Sequence, residues 1–263
     1  MAEPTVLFAF AEGIARITLN RPERLNSFTD AMHAELREAL AVLRQNAALR
    51  VVVLTGAGRA FCAGQDLQDR AVAADTAAPD LGASIERHYA PLMLSLRQLP
   101  VPVIAAVNGV AAGAGANLAL ACDIVIAAQS ASFIQAFCKI GLIPDSGGTL
   151  FLPQRLGLAR AMGLALLGEK LAAPDAQAWG LIWKCVADES LSAEVERLAR
   201  HFAQAPTLAL ARTKEAMYAA SEGLLAEQLQ LEARLQRELG RSDDYREGVA
   251  AFMTKRTPNF QGR

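Results

Sequence analysis

The chain has 263 residues, of which 52% are hydrophobic, enough to bury a sizeable core in one large domain or two small ones. Twenty-six lysines and arginines stand against 27 aspartates and glutamates, a net charge of -1, which excludes the strong positive field that draws in nucleic acid or an anionic membrane. No run reaches the ~18 uninterrupted apolar residues of a membrane span, and no basic segment leads into an apolar run at the N-terminus. The cysteines Cys62, Cys122, Cys138 and Cys185 are widely spaced, with no CxxC pair and no cysteine–histidine cluster, so we expect buried thiols in a reducing cytoplasm.

VLFAF and IARITL flank AEG and predict a hairpin, with Ile14, Arg16 and Thr18 alternating against Ala15, Ile17 and Leu19. In TDAMHAELREALAVLRQN, Met32, Leu36, Ala39, Leu40 and Leu43 recur at helical spacing, with Ser27 or Thr29 as the cap. RVVVLTG is a continuous β-branched run ending in glycine, which suits a strand buried on both faces; VPVIAAVNG and DIVIAA repeat it. An amphipathic segment, 82–98, separates the first two of these runs, and the small-residue segment GAGANLALA separates the last two. That alternation predicts an α/β core. From residue 157 the pattern turns helical, through LARAMGLALLG, PDAQAWGL, SLSAEVERLARHFAQ, PTLALARTKEAMYAA, LLAEQLQLEARLQREL and DDYREGVAAFMTKR, with GLIWKCV as the one expected strand. The chain is therefore divided at about residue 155, into a core at 1–155 that carries the site and a mainly helical extension at 156–263. AVAADTAAPDL, 71–81, is expected to be a mobile loop.

Two small-residue turns follow buried strands: AFCAGQDL, 60–67, and NGVAAGAGANLALA, 108–121. Glycine and alanine let a ligand approach the backbone, and a helix N-terminus offers unpaired N–H groups. Side by side, the two turns would bind an anion; alone, GAGANLALA fits a helix packed tightly on a sheet equally well. It is not a dinucleotide fingerprint, because GxGxxG would need glycine at Leu118, and a Walker lysine is absent. GLIPDSGGT then sets one carboxylate, Asp145, on a tight turn among apolar neighbours, where capping the turn would by itself account for it.

AFCAGQDL, PVIAAVNGVAAGAGANLALACDIVIA and GLIPDSGGT, in this order and spacing, resemble the enoyl-CoA hydratase/isomerase (crotonase) superfamily, and the resemblance runs from NRPERLNSF to GVAAFMTKRTPNF. It implies a crotonase-like spiral of ββα units with a C-terminal helical trimerisation region, and an acyl-CoA thioester as substrate. It assigns the two thioester-binding amides to Ala63 and Ala114, and a further substrate and coenzyme A surface to Gly64, Gln65, Asp66, Asn117 and Phe137. Hydratases of the family carry two glutamates, and the matching positions here hold Asn117 and Phe137, so two-glutamate addition of water is not implied. An aspartate matching Asp145 occurs in family isomerases, which move a proton with it, and in an aromatic dehalogenase, which uses it as a nucleophile.

The resemblance is widest to isomerases of the family, with RAMGLALLGEKL and GRSDDYREGVAAF joining the earlier motifs. It implies an acyl-CoA isomerase that opens an aryl ring epoxide to an oxepin and shifts a 3-enoyl double bond to the 2-position, in phenylacetate breakdown. Asp145 would take the α-proton while the two amides hold the enolate oxygen. Arg24 is expected at the phosphates or adenine of coenzyme A, and Phe252 and Lys255 match positions that reach a neighbouring subunit's nucleotide. Read by themselves, Arg24 is a surface charge, Lys255 a cation at a helix C-terminus, and Asp66 a cap of its own turn. Phe252 fits a core-packing stripe with Tyr245, Val249 and Met253. His33, His88 and His201 lack a neighbouring nucleophile motif, although the segment of His88 can close over the acyl pocket. Trp179 and Trp183 are expected to pack the helical half. No metal or cofactor is implied, coenzyme A being part of the substrate. The expected assembly is a homotrimer or dimer of trimers in the cytoplasm, with no nucleic acid and no membrane. A hydratase using another acid, a dehalogenase-type enzyme and a non-catalytic RNA-binding member are the alternatives.

Overall fold

The computed structural model describes residues 3–67, 80–220 and 224–263. Val6–Ala11 (β1) and Ile14–Leu19 (β2) pair antiparallel, turned by Glu12 and Gly13 at positive φ. Asp30–Gln45 (α1) follows, and its cap is Thr29, whose hydroxyl accepts from the Met32 amide at 3.3 Å. Next come Val51–Gly56 (β3), Ala60–Cys62 (β4), Leu81–Ser84 (α2), a π-helical turn at Ile85–Tyr89, and Ala90–Arg97 (α3). Val103–Val107 (β5), Val110–Ala112 (β6), Ala114–Ala121 (α4), Ile124–Ala128 (β7), Ser132–Ile134 (β8) and Gly148–Leu167 (α5) complete the centre of the chain. Lys170–Ala172 (β9), Ala173–Trp179 (α6), Lys184–Val186 (β10), Leu191–Ala203 (α7), Thr207–Ala219 (α8), Leu225–Leu239 (α9) and Asp243–Thr254 (α10) end it.

The strands form two sheets, in the orders β1-β2-β3-β5-β7-β10 and β4-β6-β8-β9. β2, β3, β5, β7 and β10 run parallel, as the unbroken apolar runs require once both faces are covered. Each long strand passes directly into a short strand of the other sheet, β3 to β4, β5 to β6 and β7 to β8, and a helix then returns the chain. That is a spiral of ββα turns. The second sheet was not predicted, because AFC, VAA, SFI and KLA are too short to show a period. α4 is buried along its whole length, touching β4, β5, β6, α3 and α5, which is why small residues fill it on every side.

Several expectations change here. A division at residue 155 falls inside α5, and β9 and β10 beyond it pair with β8 and β7, so the sheets continue to Val186. α7 also packs on β2, β3, β5 and β7. Of the loop expected at 71–81, residues 71–79 lie outside the described residues; Asp80 caps α2 by accepting from the Ala83 amide at 2.9 Å, and Leu81 begins it. Trp179 packs at the edge of the core with Arg160 over its ring, but Trp183 is 71% exposed. The stripe of Tyr245, Val249, Phe252 and Met253 also faces outward, Phe252 being 83% exposed, because α10 buries Asp244 and Ala251 instead. α5 is apolar and long enough to cross a membrane by length and composition. Its Arg155, however, donates to the carbonyls of Leu120, Cys122 and Leu181, and Gly157 breaks its path at φ 72°, so the helix is tied to the α/β core.

Cys62 and Cys122 are buried, and that burial pushes both thiols up to about 12. At pH 8 such a thiol is ionised to about one part in ten thousand. An alkylating reagent should therefore label the native protein at Cys138 and Cys185 alone, and all four after unfolding. Mass spectrometry of the peptides reads this, and a labelled Cys62 in native protein would contradict the packing of β4 under α4.

Candidate active site

NRPERLNSF is the brace of the first small-residue turn. Leu25 and Asn26 both sit at positive φ, and the buried Asn26 side chain accepts from the Arg21 amide and donates to the carbonyls of Ala57 and Ala60. The brace then pairs with 63–66: Ala63 N–H donates to Leu25 O at 2.9 Å, Phe28 N–H to Gly64 O at 2.7 Å, and Asp66 N–H to Phe28 O at 3.0 Å. Gly64, at φ 92°, reverses the direction of the backbone between residues 63 and 65. The amide of Ala63 consequently points into the protein. The expectation that Ala63 binds the thioester oxygen is corrected on this ground: its N–H already has an acceptor. Gln65 has no acceptor for its N–H among the described residues.

The second turn lies against the first. A side chain on Gly64 would come within 2.9 Å of Ala112 O and 3.5 Å of the Ala114 nitrogen. Ala114 is the first residue of α4 after Gly113, and its N–H is one of the orphan donors of that helix. Gln65 and Ala114 thus lie on adjoining turns, with Ala114 at the positive end of a buried helix.

Asp145 is held over that same helix end. Its carbonyl accepts from Asn117 Nδ2 at 2.8 Å and from the Gly148 amide at 2.8 Å, and its Oδ1 accepts from Ser146 Oγ at 2.8 Å. Ser146 is at φ 52°, a region that costs an L-residue about 1–2 kcal/mol. Strain of this kind persists only where neighbours over-determine the backbone. Here Gly147 and Gly148 do so, since a side chain on Gly148 would lie 2.5 Å from Asn117 Nδ2. The carboxylate itself is half-buried. The Phe137 ring stands 3.6 Å from where a side chain on Gly113 would begin, forming an apolar wall beside Ala114.

Other expected site residues have different surroundings. Asn117 is 0% exposed and both ends of its amide bond to protein, so it does not line a ligand surface. Asp66 is buried and paired with Arg21 at 3.0 Å. Removing one partner of such a pair costs about 3–5 kcal/mol, so Asp66 is a clamp between the brace and the turn rather than a substrate contact. Arg24 is exposed in the brace, with no side-chain partner among the described residues. Phe252 lines a cavity of about 430 Å³ with Leu208, Leu239, Tyr245 and Phe260, which shares no residue with the two turns. Lys255 ends α10 at φ 54°.

Residues 85–89 bring groups that sequence reading did not assign. Tyr89 O–H donates to Gln65 Oε1 at 2.6 Å, and Gln65 Nε2 donates to Phe28 O at 3.1 Å, fixing the Gln65 side chain from two sides. His88 and Gln65 line a cavity of about 650 Å³ with Thr29, Asp30, Ser84 and Arg87. His33 is buried and stacked between Phe28 and His88. Tyr89 ends a π-helical turn, which no periodicity announces.

The sequence pattern of the enoyl-CoA hydratase/isomerase family matches residues 9–263. The 1,2-epoxyphenylacetyl-CoA isomerase of Escherichia coli (strain K12) is 57% identical over 258 residues, 98% of each chain. A Rhodobacter capsulatus protein named "probable enoyl-CoA hydratase" is 51% identical over the full length of both. The crystal structure of an enoyl-CoA hydratase from Bacillus anthracis superposes with a TM-score of 0.92 at 35% identity, covering 98% of this chain and 100% of that one.

Proposed function

The chain belongs to the enoyl-CoA hydratase/isomerase family, and from that premise we propose that it is an isomerase of ring-1,2-epoxyphenylacetyl-CoA, acting in phenylacetate catabolism through a thioester enolate. The observation that carries this reading is the identity of 57% over 98% of both chains with an isomerase of that substrate, in a chain whose Asp145 is tied through its backbone carbonyl to Asn117 in the first turn of α4. The Asp145 carboxylate takes a proton from the carbon next to the thioester. The electrons of that C–H bond become the enolate double bond, and the negative oxygen is held by the amides of Gln65 and Ala114. Developing charge there also meets the positive end of α4. In a 3-enoyl thioester the proton returns from Asp145 to the far carbon, leaving the double bond in conjugation. In the ring epoxide the C–C bond shared by the two fused rings breaks and its electrons become ring double bonds of the oxepin, while the proton that Asp145 takes from the α-carbon returns to the ring carbon γ to the thioester. Neither route gains or loses an atom, and neither uses a metal or a redox cofactor.

Binding of the coenzyme A moiety is proposed to use Arg24 on the brace, with Phe252 and Lys255 reaching a neighbouring subunit. A homotrimer or a dimer of trimers is proposed, in which the exposed apolar faces of α9 and α10 would be covered, and the free cysteines suit the cytosol. The test compares turnover of the ring-epoxide thioester, double-bond migration in a 3-enoyl-CoA, and hydration of a 2-enoyl-CoA. We expect the first two to exceed hydration clearly. Preferred hydration would favour the activity in the name of the Rhodobacter relative and overturn the isomerase assignment.

A further inference from the structure

Asn117 and Gln135 form a directed chain of amides that ends on Asp145. Gln135 Nε2 donates to Asn117 Oδ1 at 2.9 Å, and Asn117 Nδ2 donates to the Asp145 carbonyl at 2.8 Å. A carbonyl oxygen can only accept, so Asn117 must present its NH2 group to Asp145, and its oxygen must then face the NH2 of Gln135. The direction of the chain is thereby set by its end at Asp145. Both side chains are buried, at 0% and 3% exposure. Gln135 Oε1 is left without a hydrogen-bond donor among the described residues, although the oxygen is inaccessible to solvent. An orphaned buried acceptor destabilises a fold, and a chain selected for stability alone would place an apolar side chain there. The fold delivers Gln135 to this point through β8: Gly113 N–H donates to Ile134 O at 2.8 Å, which sets residue 135 beside the first turn of α4.

We propose that Asn117 and Gln135 are positioning residues for the reaction, aiming the Asp145 carboxylate by holding its backbone, a role that rests on the isomerase reading above. The position at which this family's hydratases carry a base is here the middle of a clamp. Neither end of its amide is free to activate water, which favours proton return over hydration.

The test uses Asn117→Leu, which keeps the shape and removes both bonds, and Gln135→Met, which exchanges the orphan on Gln135 for one on Asn117 and so leaves stability nearly unchanged. Displacing a catalytic group by about an ångström can lower the rate up to about a hundredfold. For double-bond migration we therefore expect kcat to fall between about tenfold and a hundredfold in both variants, with KM within about twofold. Because the chain acts as a unit, the double variant should be no slower than Asn117→Leu alone. Wild-type kcat in either folded variant, or a fall confined to KM or to melting temperature, would overturn the proposal. Should Asn117→Leu fail to fold, Gln135→Met decides. If the unaltered protein moves no double bond and exchanges no α-proton in deuterated water, the isomerase reading falls and the clamp with it. If it does both, and Asp145→Asn abolishes them while the amide variants run normally, only the clamp falls.

Discussion

Asp145→Asn is expected to lower kcat for double-bond migration in a 3-enoyl-CoA by about 10²–10⁴-fold, the usual contribution of a positioned general base. The α-proton exchange of the same thioester in deuterated water should fall with it, since both pass through the same C–H cleavage. Asparagine keeps the shape of the side chain, and the bonds to Asn117 and Gly148 run through the backbone carbonyl, so the turn itself should survive. Melting temperature should move by no more than a few degrees, as is usual for ΔΔG of about 1 kcal/mol or less in a chain of this size. Near-normal rates of both migration and exchange would place the base elsewhere.

The second large effect is expected from Ala114→Pro. Proline is favoured at the first position of a helix, where its missing N–H is an orphan in any case, so α4 should tolerate it. What it deletes is one of the two amides proposed to hold the enolate oxygen. Loss of one such donor typically lowers kcat by about 10²–10³. The donor acts on charge that appears only after proton removal, so the loss should fall on kcat more than on KM. A variant that melts normally and turns over normally would remove the Ala114 amide from the mechanism.

The sheet-forming runs were legible because burial on both faces leaves an unmistakable apolar record: VVVLTG and VIAAV are β3 and β5, and DIVIAA contains β7. The helix at 30–45 was legible for the same reason at a different period, and Thr29 marked its start. Asp145 stood out because a lone acid on a glycine-flanked turn conflicts with its apolar neighbours. The three-residue strands left no such record, and neither did the outward turn of Trp183 and Phe252, because an apolar side chain reads alike whether it packs its own core or a face left open in the single chain.

The largest shift concerns the two amides. The sequence by itself marked the small-residue turn at 60–67 and the helix start at 113–114 as places of close backbone approach, and at Gly64 a side chain would lie 2.9 Å from Ala112 O. It also singled out Asp145 as a carboxylate set on a tight turn among apolar neighbours. Which N–H of the first turn is left without an acceptor among the described residues was decided only by the tertiary structure. Ala63 and Gln65 are chemically equivalent as backbone donors, and their difference arises from the positive φ of Gly64 and from a carbonyl, Leu25, that lies 38 positions away in the chain. Asn117 likewise reads in the sequence as a missing base. It becomes a clamp only because α4, β8 and the Asp145 turn are folded together, since a hydrogen bond depends on the direction in which a group points and residue type alone does not specify that direction.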